Sequence, residues 1–148
     1  MRVVLQRVSR AEVRVEGSPV GKIGLGFLLL VGVGRGDGPE TSRKFATKIA
    51  GLRIFADEDH KMNRSLADVG GEILAISQFT LYGDVRRGRR PSWIGAEDPE
   101  PAAERVEELC RALEEQGIAV ARGVFGAHME VELTNDGPVT LILDSADT

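Results

Sequence analysis

Several common kinds of chemical equipment are missing from this sequence. Cys110 is the only cysteine among 148 residues, so no intrachain disulfide can form, which fits a reducing compartment. It falls in the helical pattern Ala102, Val106, Leu109, Leu113, where a small core residue is favoured over a nucleophile. His60 and His128 are the only histidines, and neither has a second ligand at metal-binding spacing, so no metal or other cofactor is expected. His128, beside Glu130, is expected to face solvent from a strand. No apolar run is longer than residues 27–31, far below the ~20 residues that cross a bilayer. Residues 1–8 mix charge and apolar groups without the long apolar stretch of a secretory signal. The expectation is a cytoplasmic protein with no membrane association. Gly32-Val33-Gly34-Arg35-Gly36 approaches a dinucleotide loop, but Asp37 stands where the third glycine belongs, so a plain glycine-rich turn is favoured. There is no Gly-Lys-Ser/Thr phosphate loop and no Gly-x-Ser-x-Gly elbow.

What is present describes an ordinary globular chain. Hydrophobic residues make up 42% and charged residues 28%, and the length suits one domain, residues 1–148, with a core that needs no staples. Val4, Gln6 and Val8 alternate with Leu5 and Arg7, and Val13 and Val15 with Arg14 and Glu16. Gly17-Ser18-Pro19 signals a turn into Val20-Gly21-Lys22-Ile23. Phe27-Leu28-Leu29-Leu30-Val31 predicts a strand buried on both faces. A helix opens at Pro39 and carries Phe45, Ile49 and Leu52 on one face. Leu52-Arg53-Ile54-Phe55 returns to strand, and residues 57–61 read as an exposed loop. Glu72-Ile73-Leu74-Ala75-Ile76 is a second buried strand running into Ser77-Gln78-Phe79-Thr80-Leu81. Residues 83–99 have no period and form the longest loop, of a length that is usually functional or disordered. A second helix runs from about Glu100 to Gln116, closed by Gly117. After Ile118-Ala119-Val120, Met129, Val131 and Leu133 mark one strand and Val139-Thr140-Leu141-Ile142-Leu143 the last. The fold expected is a single mixed α/β domain: strands, strand–helix twice, then strands.

Three segments stand out from this background. Ser77-Gln78-Phe79-Thr80 sets three polar side chains at the end of an apolar strand; a strand end with satisfied hydroxyls is the plain alternative. Asn135-Asp136-Gly137-Pro138-Val139-Thr140 puts a Gly-Pro step between two strands, and a simple hairpin turn would use the same residues. Arg86-Arg87-Gly88-Arg89-Arg90 concentrates positive charge in a chain whose net charge is −4. Any RNA contact has to come from such a local cluster, since the surface as a whole repels phosphate. A solvated loop is the alternative there, because arginine is the preferred basic residue throughout.

Together these segments resemble the D-aminoacyl-tRNA deacylase family, over nearly the whole chain. Ser77-Gln78-Phe79-Thr80-Leu81 and Asn135-Asp136-Gly137-Pro138-Val139-Thr140 match its two signature motifs without substitution. Gln6-Arg7-Val8, Lys61-Met62-Asn63, Asp68-Val69-Gly70-Gly71-Glu72, Arg90-Pro91-Ser92 and Gly126-Ala127-His128-Met129-Glu130 support the match. Trp93 departs from the frequent Phe of the family but keeps an aromatic ring. Two separated motifs in the right order argue against accident.

The resemblance implies a homodimer with an active site at each subunit interface. Ser77, Gln78, Phe79 and Thr80 would come from one chain and Gly137-Pro138 from its partner. Gly137-Pro138 would be a cis peptide held with help from Arg7, and Met129 would join these three in binding substrate. The implied partner is aminoacyl-tRNA, with a D-amino acid or glycine on its 3′-terminal adenosine. An aminoacyl ester is already activated, so preorganised N–H donors near Phe79 and Thr80, with the Gln78 amide, suffice as an oxyanion hole. No base is evident to activate Thr80. Positioning roles for Ser77 and Thr80 are therefore favoured, with the adenosine 2′-hydroxyl assisting as the family implies. Arg86, Arg87, Arg89 and Arg90 are the expected RNA contacts. L-amino acids would be rejected by rigid main chain at Gly137-Pro138, which leaves glycine accepted. A non-catalytic tRNA-binding module and a general esterase are the rival classes.

Overall fold

Glu16 and Gly17 both take positive φ, 50° and 78°, the pattern of a tight two-residue hairpin turn. They join strand β1 (Arg2–Val15) to strand β2 (Ser18–Ile23) in the computed structural model, which describes residues 1–147. The turn thus sits one residue earlier than Gly17-Ser18-Pro19 suggests, and Pro19 lies within β2 opposite Arg14. Strand β3 (Gly26–Gly32) leads to helix α1 (Pro39–Gly51), and a small hairpin, β4 (Phe55–Ala56) with β5 (Met62–Arg64), precedes β6 (Glu72–Ser77). A 3-10 turn (Phe79–Tyr82), helix α2 (Pro99–Glu115), β7 (Val120–Arg122), β8 (Glu130–Asp144) and a short 3-10 turn (Ser145–Asp147) complete the order.

The main sheet runs β2-β1-β3-β6-β7, with β8 also paired to β1. β3, β6 and β7 are parallel, while β1 is antiparallel to β2, β3 and β8. The sheet curls until β2 crosses β6 and β7: a Cβ on Gly21 would lie 2.8 Å from the Arg122 carbonyl and 3.2 Å from Leu74 Cδ1. The result is one mixed α/β domain with a nearly closed sheet and two helices against its outer face.

Each of β3 and β6 serves two cores, as their unbroken apolar runs predict. Phe27, Leu29, Val31, Ile73 and Ala75 meet the helices through Phe45, Ile49, Leu109 and Leu113. Leu28, Leu74 and Ile76 turn the other way, towards Val8, Ala11 and Val13 inside the curl. Period-two alternation alone would put Val8 opposite to Ala11 and Val13. A bulge at Ser9, where Val8 and Arg10 face consecutive residues Asn135 and Thr134, restores them to one side. Removing Leu109, fully buried between the layers, to Ala would cost about 2–5 kcal/mol. Gly26 is obligatory where β3 begins, because a Cβ would lie 1.7 Å from the Glu72 carbonyl oxygen.

Three expectations are corrected. β8 is one strand, not two: both its halves pair with β1, so Asn135-Asp136-Gly137-Pro138 is a bulge in a continuous ladder and not a hairpin turn. Leu52-Arg53-Ile54-Phe55 contributes only Phe55 to a strand, and its partner β5 has no period to betray it. His128 is exposed but lies ahead of β8, not on it. Among the described residues no helix is long and apolar enough to cross a membrane.

Candidate active site

Ligand sites in open α/β sheets form beyond the carboxyl ends of the parallel strands. Here those ends are Val31 on β3 and Ser77 on β6, which are register partners. Gln78 continues the ladder with one bond, its N–H donating to the Val31 carbonyl at 2.7 Å. Its φ of −143° and ψ of 75° then turn the chain into the 3-10 turn. Leu81 N–H returns to the Gln78 carbonyl at 3.2 Å, and Gly83 N–H to the Thr80 carbonyl at 2.9 Å. The N–H groups of Phe79 and Thr80, which open this turn, have no acceptor among the described residues. That is the ordinary condition of a first helical turn.

A cavity of about 530 Å³ opens at this point, lined on one side by Ser77, Gln78 and Phe79. Val31, Ile76, Ala102 and Val106 add apolar surface to its lining, together with residues 125–129, Phe125 to Met129. Phe79 is 56% exposed and meets Trp93 edge to face, with centroids 5.1 Å apart. Gly83 makes this contact possible, since a Cβ there would sit 2.8 Å from the Trp93 ring. At the rim Arg35 pairs with Asp98 at 3.2 Å and donates to the Ile94 carbonyl at 2.8 Å. Met129 is fixed from below: its sulfur accepts the Val124 N–H at 3.4 Å.

Ser77 and Gln78 are half-buried and Thr80 is exposed. The Gln78 amide donates to the Thr80 hydroxyl oxygen, so one of the two N–H donors of this group, assigned to the oxyanion hole above, is engaged within the motif. The Phe79 and Thr80 N–H groups remain available. Behind Ser77 a second cavity of about 300 Å³ reaches Cys110 and Arg122. Burial pushes the Cys110 thiol up to about 11, so the free cysteine is a neutral core residue as its pattern predicts. Arg122 is clamped between Glu107 and Glu114, and those side-chain hydrogen bonds raise its pKa further.

Gly137-Pro138 is cis, and both residues are exposed. Neither lines the cavity beside Phe79 or the one behind Ser77. Within one chain the two motifs are therefore not brought together. Arg7 stands across the ladder from the bulge. Its guanidinium donates to the Asp136 carbonyl at 2.8 Å and to the Ile54 carbonyl, and lies 5.9 Å from the Phe55 ring centroid.

The arginine loop is more ordered than an aperiodic segment suggests. Asp84 and Ser92 exchange backbone hydrogen bonds of 2.8 and 2.9 Å, and Gly34 bridges Ala96. Arg86 folds back on Asp84 at 2.7 Å, and this pairing lowers the Asp84 carboxyl to about 2. Arg87, Arg89 and Arg90 are exposed and have no partner among the described residues. Phe125 also lines the cavity and stands in no polar or periodic context that would single it out; Trp93, noted in the sequence only as a retained aromatic, lines it too.

A mixed α/β domain with an apolar cavity, unengaged N–H donors at the end of a parallel strand and a basic loop following them has the build of a ligand-binding domain. Residues 4–144 match the model of the D-Tyr-tRNA(Tyr) deacylase family, and the chain belongs to that family. It is 58% identical over 147 residues to a D-aminoacyl-tRNA deacylase of Thermomicrobium roseum, covering 99% of this chain and 96% of that protein. A D-aminoacyl-tRNA deacylase of Heliobacterium modesticaldum is 57% identical, covering 97% and 96%. Among solved structures, a c-Myc DNA unwinding element binding protein superimposes with a TM-score of 0.90 at 37% identity, covering 98% and 99% of the two chains. A probable eukaryotic D-amino acid tRNA deacylase gives 0.78 at 19% identity, covering 96% and 97%, which speaks for the fold. The family expected from the motifs is the one found, and the protein is an enzyme of the ester-hydrolase class.

Proposed function

We propose that the protein hydrolyses the ester joining a D-amino acid to the terminal adenosine of tRNA, as one deacylase domain, residues 1–148, working as a homodimer. The observation that carries this is the pair of unengaged N–H groups at Phe79 and Thr80, in a turn whose first residue, Phe79, lines an apolar cavity of about 530 Å³. The acyl carbonyl docks with its oxygen towards these groups. Water adds at the carbonyl carbon, negative charge develops on that oxygen, and the two donors stabilise it without reorganisation. The acyl–oxygen bond then breaks, and the departing 3′-oxygen takes a proton, leaving free tRNA and amino acid. Loss of one such donor typically costs about 10²–10³ in rate.

Thr80 does not serve as nucleophile in this scheme, because no histidine or lysine pairs with its hydroxyl to take the proton, and the Gln78 amide that donates to its oxygen is no base. Ser77 and Thr80 position the turn, and the adenosine 2′-hydroxyl assists the attack. Gly137 and Pro138 lie outside the cavities described for their own chain. That placement supports their acting on the partner's cavity, with Arg7 holding the bulge and Met129 lining the cavity with Phe79. There a rigid main chain excludes L side chains, whereas a D side chain points into open space. Handedness is thereby proofread in translation, and glycine mischarged on tRNA(Ala) is cleaved because it has no side chain to exclude.

The test compares D-tyrosyl-, L-tyrosyl- and glycyl-tRNA with a chromogenic ester under identical conditions. Rapid release from the D and glycyl substrates with the L ester intact is expected. Tight tRNA binding without release would leave the non-catalytic binding module instead, and preference for the chromogenic ester would leave a general esterase.

A further inference from the structure

Between the ladder pairs Gln6–Thr140 and Val8–Asn135, residues 136–139 of β8 leave the sheet opposite Arg7 alone. A segment thrown out of a ladder loses the backbone bonds that would orient it. Asn135 replaces them. Its side-chain oxygen accepts the Val139 N–H at 2.9 Å, and its amide nitrogen donates to the Val139 carbonyl at 3.1 Å. The same nitrogen lies 3.3 Å from the Thr140 hydroxyl, which also accepts from the Gln6 amide at 3.3 Å. One planar amide carries a donor and an acceptor side by side, so it can make the pair of bonds that a facing strand residue would make.

The two feet of the bulge are thus fastened differently. Arg7 holds the first through the Asp136 carbonyl. Asn135 holds the second through Val139, whose side chain is buried in the helix-side core. Gly137 and Pro138 stand exposed between them. The close tie also explains why Gly137 has no room for a side chain: a Cβ would lie 2.5 Å from the Val139 nitrogen that Asn135 binds.

We propose that Asn135 is a positioning residue for handedness: it touches no substrate, but fixes the height and direction at which Gly137-Pro138 projects. The assignment rests on the reading above in which that dipeptide excludes L side chains. Steric exclusion is sensitive to placement, and an error of about 1 Å can cost up to about 10²-fold. Asn135→Ala removes both bonds. Asn135→Asp keeps the acceptor for the Val139 N–H but sets a carboxylate oxygen against the Val139 carbonyl.

The experiment measures deacylation of D-tyrosyl- and L-tyrosyl-tRNA at enzyme excess by the wild type, Asn135→Ala, Asn135→Asp and Gly137→Ala, with melting curves for each. In both Asn135 variants the D-to-L rate ratio is expected to fall about tenfold or more, part of it from faster L hydrolysis, while tRNA affinity stays within about twofold. A purely structural role would lower both rates with the folded fraction and leave their ratio unmoved. A ratio within about twofold of wild type in the Asn135 variants, when Gly137→Ala does lower it, would overturn the assignment. A ratio unmoved in Gly137→Ala would remove the exclusion reading, and the assignment with it, whatever the Asn135 variants do.

Discussion

Replacing Arg87, Arg89 and Arg90 together by Ala removes the three guanidinium groups of the 84–92 loop that have no partner among the described residues, whereas Arg86 is already paired with Asp84. Each phosphate neutralised by an arginine releases about 0.7 of a counterion on single-stranded RNA, so three contacts contribute roughly 2 to the slope of log affinity against log salt. Over a threefold rise in salt that slope weakens the wild type by about tenfold more than the triple variant. Arg86→Ala alone is expected to change the slope by well under one contact's worth, since freeing Asp84 adds a negative charge where a neutral pair stood. Asp84→Asn works in the opposite sense: it releases Arg86 and steepens the slope by up to about one contact, roughly 0.7. Fluorescence titration of labelled tRNA at several salt concentrations reads all four proteins. The backbone bridge between Asp84 and Ser92 is independent of these side chains, so loop geometry is retained. An unchanged slope in the triple variant would refute the loop's role in RNA binding. A loss of slope from Arg86→Ala as large as one third of the loss in the triple variant would refute the pairing argument.

Two further outcomes are expected. Thr80→Ala retains substantial deacylation while a substrate ending in 2′-deoxyadenosine is cleaved far more slowly; complete loss in a folded Thr80→Ala protein would restore a side-chain nucleophile. Burial raises the Cys110 thiol to about 11, above its unfolded value, so its contribution to stability is full below about pH 8.5 and is lost as pH rises through about 11. Tyr82, raised to about 12 chiefly by burial, adds a later decline, so the measurement compares wild type with Cys110→Ala. Denaturant melts should show a shallower alkaline decline in the variant, and identical profiles would mean that the thiol is not desolvated.

What the sequence discloses about this fold depends on how local its causes are. The two-faced burial of β3 and β6 is legible because an uninterrupted run such as Phe27-Leu28-Leu29-Leu30-Val31 has only one comfortable setting, between two apolar layers. The helices are legible from Pro39 and from Ala102, Leu109 and Leu113, where period and capping agree. The continuity of β8 is not, since Asn135-Asp136-Gly137-Pro138 carries strong local turn chemistry and only the distant partner β1 keeps the chain extended on both sides of it. The bulge answers to the 14-residue β1 strand, a constraint that no window of local residues contains.

The candidate site divides along the same line. Ser77, Gln78, Phe79 and Thr80 announce themselves by placing polar groups after an apolar strand, and the chain does bend there into an open cavity. The rest of the cavity's lining does not, because Phe125 and His128 reach it only through the fold, from the segment between β7 and β8. The arginine cluster is legible as charge but not as chemistry: Arg86 loses its availability to Asp84, two residues earlier, once the bridge to Ser92 has turned the loop back. For Gly137-Pro138 the reason lies deeper. A dipeptide exposed on its own chain and outside the lining of the cavity beside Phe79 has no role that a single chain's spacing can express. Its neighbours Arg7 and Asn135 nevertheless spend a guanidinium and an amide on holding it, which is hard to understand for a loop that contacts only water.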